Sequence, residues 1–90
     1  MGSRSSVSRT DRTRPLSALR AGATGLVARV VPDDAARAAR LAALGVTPGA
    51  RVRVLQTFPG IVFRCDETEI AVERTVARVI LVDLKKEPAH

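Results

Sequence analysis

Cysteine, histidine and aromatic residues are nearly absent from this chain, and each scarcity closes off a class of chemistry. A single cysteine, Cys65, excludes an internal disulfide. The single histidine, His90, stands at the last position, where a frayed terminus is expected and nothing orients an imidazole for acid–base work. Without a Cys/His cluster there is no structural zinc to staple a small fold, and no metal ligand set is expected. Tryptophan and tyrosine do not occur, and Phe58 and Phe63 are the only aromatics, too few to build a stacking platform for single-stranded nucleic acid. The glycines form no G-x-G-x-x-G and are followed by no Gly-Lys-Ser/Thr, so no phosphate loop is expected. No apolar run nears the roughly 18 residues of a membrane span. Residues 1–14 lack the apolar centre of a secretory signal, and with one free thiol the expected compartment is the cytoplasm.

What remains is a short, aliphatic, arginine-rich chain. Ninety residues with 46% apolar content make one globular domain at most. Residues 1–14, MGSRSSVSRTDRTR, hold one aliphatic side chain, Val7, and cannot bury enough apolar surface to offset their ordering entropy. They are expected to form a disordered basic tail, residues 15–84 the folded domain, and residues 85–90 a second tail. The net charge of +6 resembles a nucleic-acid signal until it is divided along the chain. Four arginines against Asp11 give the first tail +3, nine arginines against seven acids leave the domain at +2, and the last six residues add +1. The tail can associate with phosphates without specificity, but no specific nucleic-acid site is expected.

The chain from Pro15 alternates short strands with turn signals. Pro15 to Ala21 is expected to make a short helical turn, with Ser17 as its cap and Gly22 as its end. Thr24 to Val31 is the first expected strand, with Leu26, Ala28 and Val30 on one face and Val27, Arg29 and Val31 on the other. After Pro32, either Asp33 or Asp34 supplies the carboxylate that caps a helix over Ala35 to Leu44. Gly45 suits the left-handed close of that helix, Val46 can tuck back onto Leu41, and Arg40 places a cation in the final turns. Thr47-Pro48-Gly49 matches a type II turn. Strands follow at Ala50 to Thr57, with Val52 and Val54 inward and Arg51 and Arg53 outward, and at Ile61 to Cys65, with Ile61, Phe63 and Cys65 on one face. Asp66-Glu67-Thr68 turns into Glu69 to Glu73, Thr75 to Arg78 forms one helical turn, and Val79 to Leu84 is the last strand. Five evenly spaced strands with one helix after the first predict a mainly β fold, a small closed or nearly closed barrel.

Few side chains invite chemistry. Cys65 alternates with Ile61 and Phe63, which reads as a small buried apolar residue before a reactive thiol. Asp66, Glu67 and Glu69 form an acidic cluster that is either solvated or a weak cation site. Phe58, beside Pro59-Gly60, is either a solvent-facing anchor for a partner or packing at the loop base. Val79 to Val82 are apolar on both strand faces, and a domain this small needs its helix, a second copy or a partner to cover the outer one. An interface is therefore expected to involve Leu41 and Leu44 of the helix, Phe58, and Val79 and Leu81 of the last strand.

Arg40-Leu41-Ala42-Ala43-Leu44-Gly45-Val46-Thr47-Pro48-Gly49 carries the pattern R-L-x-x-L-G-V-x-P-G, whose fixed points are Arg40, Gly45, Pro48 and Gly49. With Leu16-Ser17-x-Leu19-x-x-Gly22, Gly25-x-Val27, Phe58 to Phe63, Ile70-Ala71-Val72 and Ala77-x-x-Ile80-x-Val82, it resembles the FeoA family of small cytosolic proteins associated with ferrous-iron uptake. The resemblance spans Pro15 to Asp83. Two positions depart from it: Asp66-Glu67-Thr68 stands where relatives carry glycine, and Val76 where a polar residue is usual. The resemblance implies an SH3-like barrel with a helix inserted after its first strand. It also implies a regulatory role, docking to the cytosolic GTP-hydrolysing part of a FeoB-type ferrous-iron transporter. Transition-metal binding belongs to the family's description, yet the residues here offer no ligand set for it. Two further readings stand beside this one: a regulatory or self-associating module like the C-terminal domain of iron-dependent repressors, forming a homo-oligomer, and a small nucleic-acid-binding barrel driven by the arginine tail.

Overall fold

The computed structural model describes residues 12–84. Their elements follow in the order β1 (Thr13–Pro15), a 3-10 turn (Leu16–Ala18), β2 (Thr24–Val30), α1 (Ala35–Ala43), β3 (Arg51–Gln56), β4 (Ile61–Cys65), β5 (Thr68–Val72), α2 (Arg74–Ala77) and β6 (Ile80–Asp83). All six strands belong to one antiparallel sheet ordered β1-β6-β2-β3-β4-β5. The consecutive strands β2 to β5 make a meander, and the chain then returns to insert β6 between β1 and β2.

Alternation explains most of this sheet. In β3 and β4 every second residue is buried: Val52 and Val54, then Ile61, Phe63 and Cys65. Val27, Ile70, Ile80 and Val82 supply the neighbouring strands, and Leu16 and Ala77 are fully buried in the same cluster. Each aliphatic or aromatic side chain removed from water in this way contributes ~1.5–3 kcal/mol. A single sheet that puts five of its strands into one cluster must coil around it, and no polar or charged side chain among the described residues is buried inside.

The structure moves one boundary and one face. Thr13 and Arg14, expected in the disordered tail, lie in β1, where Thr13 is opposite Asp83, Arg14 opposite Val82 and Pro15 opposite Leu81. The strand count is therefore six, and the helix follows the second strand. Residues 1–11 and 85–90, the rest of the expected tails, lie outside the described residues. In β2 the pairing with β6 slips between Val27 and Arg29. An extra residue reverses the parity of a strand, so Val27 is buried and Val30 also packs against the core, instead of lying on opposite faces. The turn at Leu16–Ala18 starts without a side-chain cap, so Ser17 does not have the role expected of it.

The end of α1 obeys local rules. Gly45, at φ +90°, donates to the carbonyl of Ala42 at 3.0 Å, and the Val46 N–H donates to that of Leu41 at 3.0 Å. These are the two bonds of a Schellman close, and Leu41 and Val46 join the core together. Asp34, not Asp33, caps the start, its Oδ1 accepting from the Arg37 N–H at 2.7 Å, while Asp33 pairs with the Arg37 guanidinium at 3.0 Å. Thr47-Pro48-Gly49 then turns back: the Ala50 N–H donates to the Thr47 carbonyl at 3.0 Å, and Gly49 has φ +92°.

Gly25 of β2 packs directly against β6. A Cβ there would sit 2.7 Å from the Asp83 carbonyl oxygen and 2.8 Å from Val82 Cγ1, whereas one at Gly45 would meet nothing within 4 Å. Gly25→Ala is therefore expected to destabilise the fold by ~1–3 kcal/mol through overpacking. Gly45→Ala should cost ~1–2 kcal/mol through its left-handed backbone alone. Urea unfolding of both variants measures the difference, and an unchanged midpoint for Gly25→Ala would contradict this strand contact.

Candidate docking surfaces

The helix α1 buries only Leu41 among its own residues. It stands beside the end of β5 and the start of α2, leaving an open cleft of about 280 Å³ between them. Arg40, Leu41 and Leu44 line the helix side, and Val72, Glu73 and Val76 line the other. The walls are aliphatic, with charges at the rim: Arg40 and Glu73 are both exposed, Arg37 joins them while paired with Asp33, and Leu44 keeps 40% of its surface in water.

The residues expected at an interface divide into three groups. Leu44 and Phe58 are on the surface, Phe58 with 79% of its area exposed at the tip between β3 and β4. Leu41 is in the core at 2% exposure and reaches the cleft only as part of its floor, because the Val46 tuck pulls it inward. Val79 and Leu81 are half-buried and serve the sheet. The Val79 carbonyl accepts from Val31, and Leu81 lies opposite both Pro15 and Arg29. The last strand is thus paired along both of its edges, and Val79 and Leu81 each keep part of their surface in water. Phe58 does not line the cleft, so Leu44 and Phe58 mark separate places.

Arg40, Gly45, Pro48 and Gly49, the fixed points of the sequence motif, shape the end of the helix and its turn. The Arg40 carbonyl accepts from Leu44 at 3.2 Å, and the Gly49 N–H donates to Val27 at 2.8 Å, tying the turn to β2. Sequence reasoning missed Glu73 and Val76 as cleft residues. It also missed Arg74, whose guanidinium donates to the Thr57 carbonyl at 2.7 Å and braces the loop that carries Phe58. Partners 17 residues apart leave no periodic signal.

Cys65 lies against the helix end, with Sγ 3.5 Å from the Gly45 carbonyl oxygen. Burial, and secondarily the charge of Asp66, pushes its thiol pKa up, so it is a protonated, unreactive side chain. Asp66, at φ +56°, turns its carboxylate to the Arg51 N–H at 3.1 Å and so works as a turn residue. No group of three or more His, Cys, Asp or Glu is gathered to hold a metal among the described residues, so the donors present do not fit a metal centre. No helix there is long and apolar enough to cross a membrane.

The described residues make a small, mainly β antiparallel domain with an open cleft beside its helix and an exposed loop tip at Phe58. Residues 14–84 match the FeoA domain, and the chain belongs to that family, whose members are non-enzymatic proteins associated with iron transport. FeoA from Chlorobium tepidum is 31% identical, with a TM-score of 0.69 over 84% of this chain and 75% of that one. The zinc complex of Stenotrophomonas maltophilia FeoA, described as a prokaryotic SH3 domain protein, is 26% identical with a TM-score of 0.67, covering 76% of this chain and 87% of that one. The barrel is accordingly SH3-like. A manganese-dependent transcriptional repressor reaches a TM-score of 0.75 at 31% identity, over 80% of this chain but only 41% of the repressor. No curated protein matches the chain.

The raised thiol pKa has a signed consequence. The unfolded thiol ionises near pH 9 while the folded one stays protonated, so the stability Cys65 contributes is complete below that pH and falls as pH rises above it. Unfolding midpoints of the native chain should therefore decline more steeply above pH 9 than those of Cys65→Ala. Parallel curves would contradict the burial of the thiol.

Proposed function

We propose that this protein is a cytoplasmic accessory module of ferrous-iron uptake that acts by docking on the cytosolic, GTP-hydrolysing part of a FeoB-type transporter. Membership of the FeoA family supports the system, and the cleft beside Leu44 supports the mode of action. An aliphatic cleft rimmed by Arg37, Arg40 and Glu73 suits a protein partner, because a buried apolar centre supplies affinity and a polar rim supplies register. Phe58, held out on a loop that Arg74 braces, offers a second anchor of the aromatic kind that dominates interface energies.

The repressor likeness supports a second reading, in which the same barrel is a regulatory module that associates with copies of itself or with a DNA-binding chain. The share of the repressor covered, 41%, matches a detached domain.

Titration calorimetry with the transporter's cytosolic domain, with and without guanine nucleotide, separates the two. Leu44→Lys suits the negative end of the helix dipole and should fold normally. It is expected to weaken binding at least tenfold, about 1.4 kcal/mol. Phe58→Ala should cost ~2 kcal/mol if it is an anchor. Absence of binding in every nucleotide state, with concentration-dependent self-association, would favour the second reading.

A further inference from the structure

The hairpin of β3 and β4 ends in an apolar tip, where Leu55, Phe58 and Pro59 are all exposed. Leu55 stands where the β3–β4 register slips, between Val54 and Gln56, an irregularity that re-aims its side chain. Residues opposite one another in a ladder share a face, and the outer side of the sheet runs in rows from this tip. Val62, opposite Gln56 and Ala71, comes first. The next row is Thr24, Arg53, Arg64 and Glu69, on β2, β3, β4 and β5. Arg20, exposed, is in the loop that Gly22 ties to this end of β3 through its N–H bond to the Val54 carbonyl at 2.7 Å. Asp66 and Glu67 lie at the other end of β4, in the turn to β5.

Strands β2, β3 and β4 carry Arg29, Arg51, Arg53 and Arg64 and no acid. Like charges directly opposite each other weaken a ladder, so the sheet gains nothing from Arg53 facing Arg64. Neither guanidinium has an ion pair or a side-chain hydrogen bond among the described residues. Glu69 lies opposite Arg64 on the far side and makes no ion pair with it. Around the tip Arg20, Arg53, Arg64 and Arg74 stand against Glu69 and Glu73, four cations to two anions, a surplus of two. The charge of the outer face is therefore ordered along the hairpin: none at the tip, mainly positive in the next row, and acidic at the far turn.

We propose that the β3–β4 tip is a peripheral contact for an anionic lipid surface, with Phe58 and Leu55 entering the headgroup region and Arg20, Arg53 and Arg64 held against its phosphates. An interfacial contact of this kind draws on buried apolar area together with attraction between basic side chains and anionic lipid, and aromatic rings favour that depth. The acidic turn at Asp66 and Glu67 faces away from such a surface, which sets the orientation. Phosphates of a nucleic acid engage the arginines alone and leave Leu55 and Phe58 in water. None of Leu55, Phe58, Arg53 or Arg64 lines the cleft, so the contact is separate from docking on a protein and needs no transporter.

Sedimentation of the full chain with vesicles tests this, comparing equal parts of phosphatidylcholine and phosphatidylglycerol with phosphatidylcholine alone. The anionic vesicles should bind at least tenfold more tightly, and added salt should narrow the difference. Arg53→Glu with Arg64→Glu should weaken that binding at least tenfold, and so should Phe58→Asp, with unfolding midpoints unchanged because all three side chains are exposed. The basic residues before β1 are common to every variant, so these losses report on the tip. The chain has no tryptophan, which makes Phe58→Trp a direct probe. Its emission should shift to the blue on anionic vesicles and stay unchanged on neutral ones. Leu44→Lys, the test of the cleft, should not weaken vesicle binding, so failure of the docking reading and failure of this one are distinct results. Vesicle binding without the emission shift, or unaltered by the substitutions, belongs to the N-terminal segment and overturns the proposal. Equal affinity for the two vesicles overturns it too. So does binding to duplex DNA that displaces the vesicles and needs Arg53 and Arg64 but not Phe58.

Discussion

Leu41 and Val46 are joined through the backbone at 3.0 Å and enter the core side by side. The helix α1 has one buried residue of its own, so this joint decides how it sits on the barrel. Gly45 takes a left-handed turn directly after Leu44, so Leu41 and Val46 go inward while Leu44 stays on the surface beside the cleft.

The core itself is economical. Fifteen apolar residues, among them one phenylalanine and no other aromatic, make up the buried cluster. So small a core tolerates no polar interior, and none of the described polar side chains is buried in it. It also makes close backbone approach valuable: Gly25 lets β2 and β6 meet at a distance no side chain would allow, and with β6 seated, β1 can pair on its far side. Among the described residues no three His, Cys, Asp or Glu side chains are gathered where they could hold a metal ion.

Much of this was legible from residue order. The alternation of Val52 and Val54 with Arg51 and Arg53, and of Ile61, Phe63 and Cys65 with Val62 and Arg64, named the inner faces of β3 and β4 before any coordinates. The Schellman close was legible because a glycine followed by an aliphatic residue after a helix is a purely local pattern. The β1 strand was not: of Thr13-Arg14-Pro15 only the threonine favours a strand, and the segment is paired along the edge of β6. Nor was the bulge at Ala28, since a strand's parity changes only when a neighbour forces one residue out of register. At the candidate site, Leu44 was read as an interface residue at the helix end and Phe58 as either an exposed anchor or loop-base packing, and both are on the surface. Leu41, Val79 and Leu81 were read as interface residues; Leu41 is in the core and Val79 and Leu81 are half-buried.

Residue order alone determined a mainly β barrel with one capped helix, the inner faces of its regular strands, the resemblance to FeoA, and the lack of a phosphate loop. Those features depend on interactions within a few residues, or on a periodicity that one strand carries by itself. Only the tertiary structure decided that Val72, Glu73 and Val76 share a cleft with Leu44, and that Arg74 braces the Phe58 loop. Each of these joins segments far apart in the chain, and their meeting is set by which strand lies next to which. A one-dimensional pattern carries no record of that order.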